Sequence, residues 1–387
     1  MNILIAVDSF KGSCTAQQAC QAIASGLTRY RSDIITNQLP IADGGEGLLQ
    51  ILNASPSLKN KTNHKIVVMG PYNQPTEAEY ITLGKDKAII EMAQACGLEL
   101  TPKALRNAEK ASSYGLGQIV KEVLDKGISH IIIGLGGSAT NDGGIGFAQA
   151  IGVQFFDKQN NLISIPASGE DLMRVYRADL CQLHPAAKNA LFEASCDVNN
   201  PLLGEHGATR IYGPQKGATQ QQLDRLENGM KNYHHSLCHG LNNDANLIPG
   251  SGAAGGMGAA LIWFTQAKLR PGIELVLELL EAESLIRNAD LVITGEGKLD
   301  KQSSFGKAPV GVANLAAAYN KPVIALAGAL GEGASLLYQH NVNAMWSICS
   351  EPISLETAMR NAEALLSDTA EALIRTIDVG MRLSAQK

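Results

Sequence analysis

A chain of 387 residues is longer than one hydrophobic core usually serves, so about two domains are expected. With 45% apolar residues it can bury full cores, and a formal charge of −5 without a basic, aromatic-laced stripe argues against nucleic acid as a partner. Seven cysteines stand singly with no C-x-x-C pair, which suits reduced thiols in a cytoplasm and argues against a disulfide frame or a zinc site, and no apolar run approaches the roughly 20 residues of a membrane span.

The N-terminal MNILIAVDSF enters a strand at 3–7 with no charged-then-apolar leader, so a soluble, cytoplasmic protein is expected. A helix over 15–30 follows a Thr15 cap, and a second strand spans 34–39. Residues 64–92 carry turn signals at Gly70-Pro71 and Gly84 and suggest short antiparallel strands. A helix from Ser113 to a stop at Gly127 leads into apolar runs at 131–135 and 191–196, which read as buried parallel strands. Residues 199–271, rich in Gly, Asn, Pro and His, show no βα rhythm. Strands at 291–294, 323–327 and 344–348 then alternate with helices at 308–319 and 355–377. Strand alternating with helix predicts an α/β protein: a Rossmann-like, doubly wound parallel-sheet domain (1–60 plus 286–387) with a second α/β domain (61–285) inserted.

Four polar clusters each follow a predicted strand: DSFKGS at 8–13, ADGGEG at 42–47, GLGGSATNDGG at 134–144, and GEGKLD at 295–300 running on to Lys307. Any one Asp or Ser after a strand reads equally well as the N-cap of the next helix. Lys11, Lys298 and Lys307 do not fit that reading, because a cation opposes the dipole at a helix N-terminus by roughly 0.3–1 kcal/mol. A bound phosphate reverses the sign. Carboxylates, lysines and glycine-rich backbone together suit a phosphorylated ligand with a divalent metal.

Residues 301–308 approach a P-loop, but Lys301 replaces its first Gly and Ala308 lacks the hydroxyl for metal. Gly134-Leu-Gly136-Gly-Ser-Ala139 matches the dinucleotide fingerprint G-x-G-x-x-A, with Asp157 about 20 residues on as a ribose-binding acid. Only about 145–151 remains for the crossover helix, shorter than the dozen residues needed, so a dehydrogenase reading is the weaker one. No Ser-His-Asp or Cys-His arrangement and no H-E-x-x-H spacing is legible. His234, His235 and His239 read as solvated positions of a polar helix, and Cys196 as a core thiol.

These clusters, together with PIADGGEG at 40–47, CDVNNPLLG at 196–204, YGPQKGA at 212–218, GAAGGMG at 252–258 and ADLVITGEGKLDKQSSFGKAP at 289–309, resemble the type I glycerate kinases of bacteria, in order and over essentially the whole chain. The resemblance implies transfer of the ATP γ-phosphoryl to D-glycerate with Mg²⁺, usually giving 2-phosphoglycerate. Residue roles are expectations from the chemistry of the side chains. Lys11 or Arg210 would hold the glycerate carboxylate, with Asp8, Ser9 and Glu46 also on substrate. Asp43 or Asp197 would orient the attacking hydroxyl and take its proton late. Metal ligands would come from Asp142, Glu296 and Asp300. Gly136, Gly137, Ser138, Thr140 and Asn141, with Gly295 and Gly297, would cradle phosphates, and Lys298 or Lys307 would spread transition-state charge. All these turns are expected to meet in one crevice between two lobes. A dehydrogenase and a non-catalytic ligand sensor are the rival classes; self-association to a homo-oligomer is left open.

Overall fold

The computed structural model describes residues 1–45, 47–55, 58, 60–241 and 243–386. Among them the strands, in chain order, are β1 (Asn2–Val7), β2 (Ile35–Gln38), β3 (Lys61–Met69), β4 (Pro75–Leu83), β5 (Lys87–Glu91), β6 (His130–Gly134) and β7 (Gln154–Phe156), then β8 (Arg177–Asp179), β9 (Leu191–Ser195), β10 (Lys268–Arg270), β11 (Leu291–Leu299), β12 (Val323–Leu330) and β13 (Ala344–Ser347). The chain divides into two compact units. The first comprises Met1–Asp43, Gln50–Ser57 and Ile273–Lys387; the second comprises Gly44–Leu49 and Leu58–Gly272. The sequence reading set the limits at 60 and 285. The main limits fall close to the first of these, at 57/58, and at 272/273, and residues 44–49 also join the second unit, where the Leu49 amide donates to Glu91 Oε1 at 3.2 Å.

The first unit is built on a five-stranded, wholly parallel sheet in the order β13-β12-β11-β1-β2. Its strands are continuous apolar runs because both faces are covered: Ile3 through Val7 are all fully buried. Ile3, Ile5 and Val7 share a core with the helices Ala16–Tyr30 and Ala362–Ser384. The helix Ala308–Ala317 lies against β1, β11 and β12. Thr15 starts the first helix through a capping box with Gln18, worth roughly 1 kcal/mol. Its buried Ala19, Cys20, Ile23 and Leu27 form one stripe at helical spacing. Gly26 sits where that stripe meets the C-terminal helix; a Cβ there would lie 2.0 Å from the Ser367 carbonyl oxygen.

This strand order is the 2-1-3-4-5 variant of the doubly wound sheet, with the topological switch between β1 and β11. The chain leaves β1 towards one edge of the sheet and leaves β11 towards the other. Helices diverge there, and a crevice opens outside the strand carboxyl ends. The motifs at 8–13 and 295–300 flank that point.

The second unit has a six-stranded mixed sheet, β10-β9-β6-β5-β4-β3. The strands β5, β6, β9 and β10 run parallel, and β3 and β4 add an antiparallel edge. The segment at 199–271, read as lacking βα rhythm, holds helices Ala208–Tyr212, Gln220–Leu241 and Ala253–Thr265. The second of these turns Leu223, Leu226, Met230, Tyr233 and Leu237 inward. The third begins with three successive residues at positive φ, Ala254, Gly255 and Gly256. A Cβ on Gly255 would lie 2.1 Å from the Thr140 carbonyl oxygen, so this turn presses against the 134–144 motif as only glycine allows. No helix among the described residues is long and apolar enough to cross a membrane.

Candidate active site

In the first unit, a cavity of about 980 Å³ opens at the switch point. Asp8, Ser9 and Lys11 after β1, Asp43, Glu296 through Lys298 on β11, and Asp300, Gln302 and Lys307 all line it. Asp8 is pushed up to about 7, first by burial and then by the nearby charges of Asp43 and Glu296. Burial also raises Glu296, against a hydrogen bond from Ser303 Oγ to its Oε1. Asp43 Oδ1 accepts the Ala308 amide at 2.8 Å, so it satisfies a free N–H at the start of the helix Ala308–Ala317 while keeping its other oxygen.

Cations border the same cavity. Lys298 Nζ pairs with Asp300 at 3.0 Å, which holds the Asp300 carboxyl below its usual range. Lys11 and Lys307 have no carboxylate within ion-pair distance among the described residues. Three mutually repelling carboxylates beside unpaired lysines make an electrostatically costly arrangement on their own. A hard dication suits the carboxylate oxygens, and anionic oxygens suit the lysines.

Parts of the last motif differ from expectation. Residues 295–299 form no loop, because β11 continues through Leu299 and pairs with β12 as far as Leu330. The Gly295 carbonyl accepts the Asp8 amide at 2.9 Å, and a Cβ on Gly295 would lie 2.1 Å from the Leu326 carbonyl oxygen. Gly295 therefore serves sheet packing and does not line the cavity. Gly297 does line the cavity, 3.4 Å from the Lys11 amide at its Cβ position.

In the second unit, a smaller cavity of about 200 Å³ lies beyond the carboxyl ends of β6 and β9. Gly136, Gly137 and Ser138 border it, with Ser195, Asp197, Tyr212, Lys216 and Ala254. Gly137 is left-handed at φ 68°, and its carbonyl accepts the Leu98 amide at 2.8 Å. Asp197 Oδ1 accepts the Gly272 amide at 2.8 Å. Cys196, just past β9, donates its Sγ hydrogen to Val198, and burial pushes its thiol up to about 11.

The end of the 134–144 motif departs from its predicted role. Asp142 is fully buried and accepts four bonds, from the Ser113 amide and hydroxyl and the Gly144 and Gly146 amides. It is a knot tying the helix Tyr114–Asp125 to the turn, with no oxygen exposed to a metal. Burial raises its carboxyl, and the Ser113 bonds oppose that rise. Thr140 and Asn141 are fully buried too, the latter donating to Thr209 Oγ1 at 3.0 Å, so their side chains reach no solvent-borne phosphate. The motif looks catalytic by composition, but its second half is core.

Arg210, on the helix Ala208–Tyr212, pairs with Asp224 at 2.7 Å and borders neither cavity. Glu46 lies outside the described residues. His234 is partly buried and pairs with Asp244 at 2.7 Å, although a solvated position was expected. Asp157 accepts bonds from the Gln159 and Asn161 amides in the turn after β7, a strand paired antiparallel with β8. A βαβ unit presenting an acid to a ribose is absent there, which removes the dinucleotide reading. Lys216, which borders the second cavity, was not singled out from the sequence. Its signal was present in YGPQKGA, where a lone lysine stands between turn-forming residues.

A doubly wound sheet with a carboxylate- and lysine-lined cavity at its switch point is the arrangement of an enzyme that handles phosphoryl groups. The glycerate kinase family profile matches residues 3–378, and this chain belongs to that family. It is 43% identical over 369 residues to a glycerate kinase of Halalkalibacterium halodurans, covering 95% of this chain and 96% of the relative. It is 40% identical to the glycerate 2-kinase of Escherichia coli K12, covering 99% of both. The crystal structure of a glycerate kinase 2 from Salmonella typhimurium LT2 superposes with a TM-score of 0.85 at 41% identity, covering 99% of each chain.

Proposed function

We propose that this protein transfers the γ-phosphoryl of ATP to the 2-hydroxyl of D-glycerate, giving ADP and 2-phosphoglycerate. The observation that carries this reading is the set Asp8, Asp43 and Glu296 lining one cavity with Lys11, Lys298 and Lys307. Phosphoryl transfer asks a protein mainly for alignment and charge neutralisation, and this cavity offers both signs of charge. Asp8, Asp43 and Glu296 would hold Mg²⁺, which would supply neutralisation of the phosphate charge when bound. This replaces the ligand set expected from sequence, since Asp142 is sealed and Asp300 is committed to Lys298.

Lys11 and Lys307 grip the phosphate oxygens, each charge bringing of the order of 10²–10³ in rate. Ser303 fixes Glu296, and the Ala308 amide fixes Asp43, so neither carboxylate must reorganise as charge moves. Asp197 orients the acceptor hydroxyl and takes its proton late. It is preferred to Asp43 because no other carboxylate lines its cavity among the described residues.

A coupled assay for ADP tests the reading. ADP must form only when glycerate, ATP and Mg²⁺ are all present, and phosphorus NMR must show the 2-phosphate. ADP release that ignores glycerate would overturn the function. A 3-phosphate product would overturn only the regiochemistry.

A further inference from the structure

The cavity of the second unit contains a cation that the mechanism above leaves unused. Lys216 is 2% exposed. Its Nζ donates to Ser138 Oγ at 2.8 Å and to the Thr140 carbonyl at 2.6 Å. An ammonium has three N–H donors, so one has no acceptor among the described residues. No carboxylate stands within ion-pair distance of it among them either; Asp142, the nearby acid, is occupied by its four donors. Burying such a group without a counter-ion is expensive, and burial draws its ammonium down to about 7.

A second observation is independent of the lysine. Ser195, 3% exposed at the end of β9, lines the same cavity, and its Oγ has no hydrogen-bond partner among the described residues. Buried hydroxyls are nearly always satisfied, so an orphan beside a cavity marks a place for a polar ligand. The backbone is also shaped for close approach there. Gly136 and Gly137 line the cavity, as does Ala254 in the left-handed conformation at φ 53°.

We infer that this cavity seats the small hydroxy acid, with the glycerate carboxylate on Lys216 and a glycerate oxygen on Ser195. The inference rests on the glycerate reading above and assigns the acid's counter-ion within it. Both a carboxylate and a nucleotide phosphate present anionic oxygens. Size favours the carboxylate, because about 200 Å³ lies below the usual range for larger ligands and fits a three-carbon acid. Asp197, which lines the same cavity, then meets the acid's hydroxyl end. Lys216 takes the place that Lys11 or Arg210 was expected to fill.

The test separates the two substrates. In Lys216→Met, KM for glycerate should rise by about 100-fold or more while KM for ATP stays within about twofold, as expected for loss of a buried charge pair to one ligand only. Ser195→Ala removes a hydroxyl that supports nothing in the fold, so it guards against misfolding of the lysine variant. It should raise KM for glycerate roughly 10-fold, the worth of one hydrogen bond to a charged group. Lys216→Arg, with a wider head group in a small cavity, should not restore it. If Lys216→Met and Ser195→Ala leave KM for glycerate unchanged, or raise KM for ATP instead, the seat is refuted although the kinase reading stands. If wild-type protein shows no glycerate-dependent ADP formation, the kinase reading itself fails.

Discussion

Changing Asp8 to Asn should make the metal-free protein more stable and the enzyme inactive. Asp8 is raised from an ordinary 3.8 to about 7, by burial and then by Asp43 and Glu296. Between those values the folded state holds a proton that the unfolded state has lost, so stability falls as pH rises. The loss is complete above about pH 7. At about 1.4 kcal/mol per unit the full shift corresponds to ~4 kcal/mol, and allowing for partial exposure of the side chain leaves ~2–4 kcal/mol. Asn keeps the oxygen that accepts the Ser9 amide and removes only the charge. In EDTA, the melting temperatures of Asp8→Asn and wild type should coincide near pH 4 and separate by roughly 5–10 °C at pH 8. Mg²⁺ should then raise wild type and leave the variant nearly unmoved, because a bound cation would offset the repulsion among the carboxylates. Turnover in the variant should drop by at least about 10²-fold. Equal or lower stability of the variant at pH 8 in EDTA would refute the charge-cluster argument, and so would undiminished stabilisation by Mg²⁺.

Three further outcomes follow from the same geometry. Asp142→Ala strands four buried donors and should lower stability by ~3–5 kcal/mol, read as a fall in the urea midpoint; a stable, Mg²⁺-insensitive enzyme would restore the metal-ligand role. Arg210→Ala breaks only a partly exposed pair with Asp224, so the loss should stay below ~1 kcal/mol, with KM for glycerate unchanged. Gly26→Ala drives a methyl group to 2.0 Å from the Ser367 carbonyl and should destabilise the first unit by ~1–3 kcal/mol, measured by calorimetry, without altering KM for either substrate.

The sheet of the first unit was legible because each strand is a short, unbroken apolar run flanked by glycine or acid, the pattern of strands covered on both faces. The antiparallel edge at β3 and β4 was legible from turn residues at Gly70 and Gly84. The helices of 199–271 were harder to see. In Gln220–Leu241 the inward residues recur every three or four positions, but His, Asn and Gly between them dilute the pattern. In Ala253–Thr265 nearly every side chain is buried, so no polar face marks the period, and its glycine-rich start resembles a loop.

Sequence alone supplied the chemistry of this protein: which carboxylates, lysines and glycines follow strands, and which family that order of motifs resembles. It did so because strand burial and turn composition are local properties, written within a few residues of chain. Tertiary structure alone decided which of those groups face a cavity. Asp142 and Asp300 are both acids after a strand, yet one is sealed by four donors from two segments and the other is held by a neighbouring lysine. Lys216 was drawn to the second cavity only because Ser138 and Thr140, distant in sequence, hold its ammonium there. Desolvation and counter-ion distance depend on every neighbour in space, and no local stretch of sequence encodes them.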